Sequence, residues 1–138
     1  MAHKLLALQM ISISIKNLDI VIKKLVIEMR EELQEPPTGF TSEDLRLFMV
    51  QKGIYPPEMF YDLFSTTKPH ATLTYMWPAT PINKFVELLK RRFADEDTVY
   101  IDILLNDQRS PVSIQVSLSN ANVRCKAHRF TRFSPSLI

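Results

Sequence analysis

The stretch Ala71–Leu105, ATLTYMWPATPINKFVELLKRRFADEDTVYIDILL, decides the reading of the fold. Ala71 to Met76 is rich in Thr, Leu and Tyr, residues that suit a pleated, half-buried surface, and predicts a short strand. Pro78 breaks it. Thr80 then offers a helix N-cap, and Pro81 fits the first helical position, where its missing N–H costs nothing. Ile82, Phe85, Val86, Leu89 and Phe93 recur on one stripe, with Lys84, Glu87, Lys90 and Arg91 off it, so residues 81–93 predict an amphipathic helix. Lys90, Arg91 and Arg92 complement the negative end of its dipole. Asp95-Glu96-Asp97 makes a turn, and Thr98 to Leu105 reads as an apolar strand carrying one charge, Asp102. A strand apolar on both faces is expected inside a helix-covered parallel sheet. Together these pieces predict a strand–helix–strand unit of a parallel α/β sheet.

Past this unit, Asn106 to Pro111 reads as a loop. Val112 to Lys126 fits a helix with Ile114, Leu118, Ala121 and Cys125 on one stripe, and equally permits a strand at Val112–Val116. His128 to Phe133 alternates and predicts a third parallel strand, ended by Ser134-Pro135-Ser136. In the other direction, Ile11, Ile13 and Ile15 alternate with Ser12 and Ser14, which is strand periodicity. Leu18, Ile22, Leu25, Met29 and Leu33 then recur at helical spacing up to Pro36-Pro37 and Gly39, although residues 5–34 also read as one continuous helix. Thr41 and Asp44 have the spacing of a capping box, Phe40 and Leu45 that of a hydrophobic staple, and Gly53 that of a helix stop. Pro56-Pro57 opens a short helix bearing Met59, Phe60, Leu63 and Phe64, which are assigned to the core. The predicted class is therefore α/β, with a partial parallel sheet of two to three strands. Residues 1–68 form a helical N-terminal segment and residues 69–138 the α/β part.

Composition narrows the function classes. A chain of 138 residues, 46% hydrophobic and 23% charged, can hold one domain with a real core. It has two glycines, Gly39 and Gly53, neither with a second one nearby, which argues against phosphate-cradling loops and dinucleotide fingerprints. The one cysteine, Cys125, rules out an internal disulfide and a cysteine-based zinc site, and fits a cytoplasmic setting. His128 lies three residues beyond Cys125, which is helix or loop spacing and not a catalytic dyad. His3, His70 and His128 are scattered and lack neighbouring ligands, so no metal is expected. Leu5 to Ile15 is apolar enough for a signal-peptide core, yet its basic region is only Lys4, and Lys16, Asp19, Lys23 and Lys24 prevent a membrane span. Net charge is +2, but Arg109, Arg124, Lys126, Arg129 and Arg132 form a C-terminal basic set with no acid among them. Only Phe130 and Phe133 interleave them, and these alternate as strand residues do, so a solvated face is preferred to nucleic-acid binding.

In open α/β sheets the ligand crevice lies beyond the carboxyl ends of the strands. Three sets of residues fall there: Tyr75 with Trp77, Asp102 with Asp107, and Ser134 with Ser136. Asp102 stands out, because a carboxylate in an apolar strand is costly unless paired or functional, and burial would raise its pKa. The alternative is a carboxylate bonded to loop amides that holds the strand end. No Ser–His–Asp order can be assembled.

The strand Ala71–Trp77, the helix Pro81–Phe93, the strand Val99–Leu104 and the closing Phe133-Ser134-Pro135-Ser136-Leu137 resemble the first half of a TIR (Toll/interleukin receptor) domain. The resemblance implies a flavodoxin-like strand order, with residues 106–126 holding the loop used in TIR self-association. It also implies action in signalling or defence, through a protein partner or self-association, without a cofactor. In TIR domains that cleave NAD, the catalytic glutamate lies on the helix after the third strand, often beside a Trp-Cys pair. The chain is expected to stop short of that helix, as a truncated TIR-like module with an open sheet edge and no catalytic residue. NAD hydrolysis is the alternative, if a partner chain or longer isoform supplied the helix.

Overall fold

A computed structural model describes residues 9–73, 80–109 and 130–131. It is a mixed α/β structure around a five-stranded sheet of order β2-β1-β4-β3-β5. In chain order the elements are β1 (Ser12–Ser14), α1 (Ile15–Glu32), α2 (Ser42–Lys52), α3 (Pro56–Met59), a 3₁₀ turn (Tyr61–Leu63) and β2 (Phe64–Ser65). They continue with β3 (Ala71–Leu73), α4 (Ile82–Arg92), β4 (Thr98–Ile101), α5 (Asp102–Leu105) and β5 (Phe130–Thr131).

The strand–helix–strand unit is present: β3 and β4 run parallel, with Ala71 beside Val99 and Leu73 beside Ile101, and α4 connects them. β5 is parallel to β3 on its other side. The remaining strands come from the N-terminal segment, which is therefore more than helical. β1 joins β4 antiparallel through Ile13–Val99, and β2 extends the sheet beyond β1. β4 is thus paired on both sides, and the outermost strand on that side of the sheet is β2, two residues long.

α1 starts where the sequence changes period. Ser14 accepts from the Asn17 amide at 3.1 Å, while the amides of Ile15 and Lys16 donate to the carbonyls of Asp97 and Asp95. The acidic turn after α4 therefore satisfies the start of α1, a contact between residues far apart in sequence that no local rule foresees. α2 carries the complete capping box of Thr41 and Asp44, with Phe40 and Leu45 buried, and ends at Gly53 in the left-handed region at φ 66°.

Several boundaries differ from expectation. α4 begins at Ile82, with Pro81 and not Thr80 in the capping position, because the Ile82 amide donates to the Phe40 carbonyl and Thr41 bridges to Pro81. The strand expected over Thr98–Leu105 ends at Ile101, and residues 102–105 turn into α5, closed by the Asn106 amide on the Asp102 carbonyl. Met59 is 46% exposed and so does not belong to the core; Phe60 and Leu63 pack against the core only in part, while Phe64 is buried. The strand predicted to Met76, the choice of helix or strand over 112–126, and most of residues 128–136 lie outside the described residues.

One apolar cluster joins Ile13, Ala71, Leu73, Val99 and Ile101 of the sheet to Leu18, Leu25 and Met29 of α1, Leu45 and Met49 of α2, and Val86 and Leu89 of α4. By strand alternation Ser12, Thr72 and Tyr100 occupy the opposite face. There the hydroxyls of Ser12 and Thr72 are buried with no hydrogen-bond partner among the described residues.

Candidate functional site

Two of the predicted site residues, Asp102 and Asp107, sit at the carboxyl end of β4, where an α/β sheet places its ligands. Tyr75, Trp77, Ser134 and Ser136 lie outside the described residues. The two carboxylates differ sharply in surroundings.

Asp102 opens α5, a single turn that follows β4 directly. Burial raises its pKa from 3.8 to about 6, because the charged form is deprived of water; the amides of Ile103 and Asp102 itself pull in the other direction but do not offset this. Its Oδ1 is buried without a hydrogen-bond partner among the described residues. Such a carboxyl changes protonation state close to neutrality, which is the property a general acid or base needs.

Asp107 is 1% exposed and is neutralised by Arg109. Its Oδ1 accepts from the Arg109 amide at 3.0 Å and from Nε at 2.8 Å, and its Oδ2 from Nη2 at 2.6 Å. The same guanidinium turns outward to Glu58 on α3, with Nη1 at 3.0 Å and Nη2 at 3.2 Å from the carboxylate. Its carbon lies 5.3 Å from the Tyr55 ring centre. Two carboxylates thus hold one cation, and they push its already high pKa further up, Asp107 most. Tyr55 adds a bond from its hydroxyl to the Leu105 carbonyl at 3.3 Å, and the Tyr100 hydroxyl donates to Asn106.

The result is a clasp between the Tyr55–Glu58 corner and the loop after β4. Its chemistry is positional: the guanidinium has four of its five N–H groups engaged, two on each carboxylate, and a planar fork used in this way holds geometry more than it offers charge. Asp107 was legible as a strand-end carboxylate. Arg109 was visible only as one member of a basic set, though Asp-x-Arg in a turn is a local signal for such a pair. Tyr55 and Glu58 carried no signal, since each is about fifty residues away along the chain.

His70 is spent on the sheet, its Nδ1 accepting from the Thr98 amide at 2.9 Å. No group of three metal-ligating side chains occurs among the described residues. Nor, among them, is any helix long and apolar enough to cross a membrane. The larger described hollows lie elsewhere: a groove of 520 Å³ between α1 and α4, and one of 280 Å³ between α2 and the segment that follows α1.

Comparison of the chain with protein-family models, with curated proteins and with solved structures returned no match.

Proposed function

We propose that this chain is a non-catalytic TIR-like interaction module, acting in the cytoplasm in signalling or defence through a protein partner or self-association. The observation that carries the non-catalytic part is the clasp. At the strand end where a substrate would be expected, Asp107, Glu58 and Arg109 satisfy one another and anchor a loop. The TIR-like part is supported by the order β4-β3-β5, in which the first parallel strand lies between the second and the third. A flavodoxin-like sheet begins in that way.

The second reading, an NAD-hydrolysing domain completed by a partner chain or longer isoform, is favoured by Asp102 alone. Its raised pKa gives it the proton affinity of an acid–base group. Incubating the chain alone with NAD and following nicotinamide release tests the first reading. The interaction module is expected to leave NAD intact. Turnover by the chain alone, lost in Asp102→Asn, would overturn the proposal and assign the carboxyl a catalytic role.

A further inference from the structure

α5 is a single helical turn held between two fixed points. At one end it grows directly out of β4, with Ile101 still extended and Asp102 already helical. At the other, the clasp fastens Asp107 and Arg109 to Glu58 on α3. Ile103, Leu104 and Leu105 are packed in the core, none of them more than 5% exposed. Asp102 alone lies at the margin, half-buried, and its Oδ1 is buried without a hydrogen-bond partner among the described residues. The turn is closed by the Asn106 amide on the Asp102 carbonyl at 2.9 Å. Gln108 adds little, its Nε2 standing 3.4 Å from the carbonyls of Asp102 and Asn106.

A carboxyl so placed is tolerated as the neutral acid and resisted as the anion, because burial withholds the water that an anion needs. Among the described residues, the titratable and charged groups on the elements around α5 are Tyr100 on β4, Tyr55 and Glu58 at α3, and Asp107 and Arg109 on the loop. Arg109 is committed to the other two carboxylates, and the two tyrosine hydroxyls bond to Leu105 and Asn106. None of these charges moves Asp102; its rise to about 6 comes from burial, opposed by two backbone amides. The least disruptive relief for the anion is local. Asp102 is the first residue of the turn, so rotating its own backbone outward gives the carboxylate water. That breaks the bond from Asn106, while the three apolar side chains keep their places and the clasp stays shut.

We propose that the start of α5 is a proton-operated hinge at the end of β4, closed while Asp102 is protonated and opening when its carboxyl ionises. Opening restores the ordinary carboxylate value of 3.8, so the open fraction grows as the pH rises from 3.8 through about 6 and levels off above it. Acid therefore tightens the carboxyl end of β4, where an α/β sheet presents its ligand crevice, and neutrality loosens it. The hinge does not depend on the TIR-like reading.

Amide hydrogen exchange of the full chain, followed by NMR, tests it. The Asn106 amide reports the hinge, and the Leu25 amide, on the buried stripe of α1, reports global unfolding. With intrinsic exchange rates divided out, protection of the Asn106 amide is expected to fall about tenfold or more between pH 4 and pH 7. At pH 7 it is expected to lie well below that of Leu25. In Asp102→Asn, which carries no charge at any pH, protection of Asn106 is expected to stay level across the same range. A wild-type Asn106 amide indifferent to pH, a fall that persists in Asp102→Asn, or equal protection of Asn106 and Leu25 at pH 7 would each overturn the proposal.

Discussion

Asp102 has an ordinary carboxylate pKa of 3.8 when solvated and about 6 in the folded chain. The folded state therefore binds this proton more tightly than the unfolded state does. The stability it contributes is present in full below pH 3.8 and is lost as the pH rises through about 6. Allowing for partial solvent contact, the loss is about 2 kcal/mol. Asp102→Asn is expected to be more stable than wild type at neutral pH by that amount. The difference should vanish toward pH 4, read as urea midpoints at both ends of the window. Arg109 behaves in the opposite sense. Arg109→Ala removes the cation that neutralises the buried Asp107, and is expected to cost about 2–4 kcal/mol in the same assay. Asp102 was legible as an odd charge in an apolar run. The Arg109 clasp was not, because half of it comes from Glu58.

The elements divide according to how local their causes are. α2 is specified almost entirely by its neighbours in sequence: the capping box and the glycine stop stand as the spacing predicted, and Phe40 and Leu45, the pair with staple spacing, are both buried. Gly53 allows a clean test, since a Cβ placed there meets nothing within 4 Å and only the positive φ resists it. Gly53→Ala is therefore expected to cost about 1 kcal/mol, with no repacking contribution, as a shift in thermal midpoint. β4 and α5 show the opposite case. Val99 to Leu105 is so uniformly apolar that periodicity cannot locate the change from strand to helix. The break after Ile101 coincides with Asp102, an acid where a helix N-terminus favours one, and the turn is closed by Asn106. α4 starts one residue late for a similar reason, since its first amide is taken by Phe40 from another part of the chain.

At the scale of the molecule, the N-terminal segment and the α/β unit share one sheet and one core. Ile13 of β1 lies beside Val99, and residues of α1, α2 and α4 belong to the same apolar cluster. A chain shortened to residues 69–138 would lose β1 and β2 and expose the edge of β4. It is expected to show no cooperative unfolding transition by circular dichroism, whereas the full chain unfolds in a single step. Survival of a cooperative transition in the shortened chain would show instead that the segment is an appendage.

The sequence by itself determined the pieces whose causes lie within a few residues. These are the β3–α4–β4 unit, the ends of α2, the short α3 after the paired prolines, and the carboxylates at the end of β4. Period and capping act over one or two turns, so they can be read from neighbours alone. Only the tertiary structure decided that β1 and β2 complete the sheet, that the acidic turn at 95–97 receives the start of α1, and that Arg109 closes on Glu58. Each of these joins groups some fifty or more residues apart, and the bonds that make them are backbone or ion-pair contacts open to many partners. Which partner is chosen depends on the packing of the whole core around Ile13, Leu25, Leu89 and Val99.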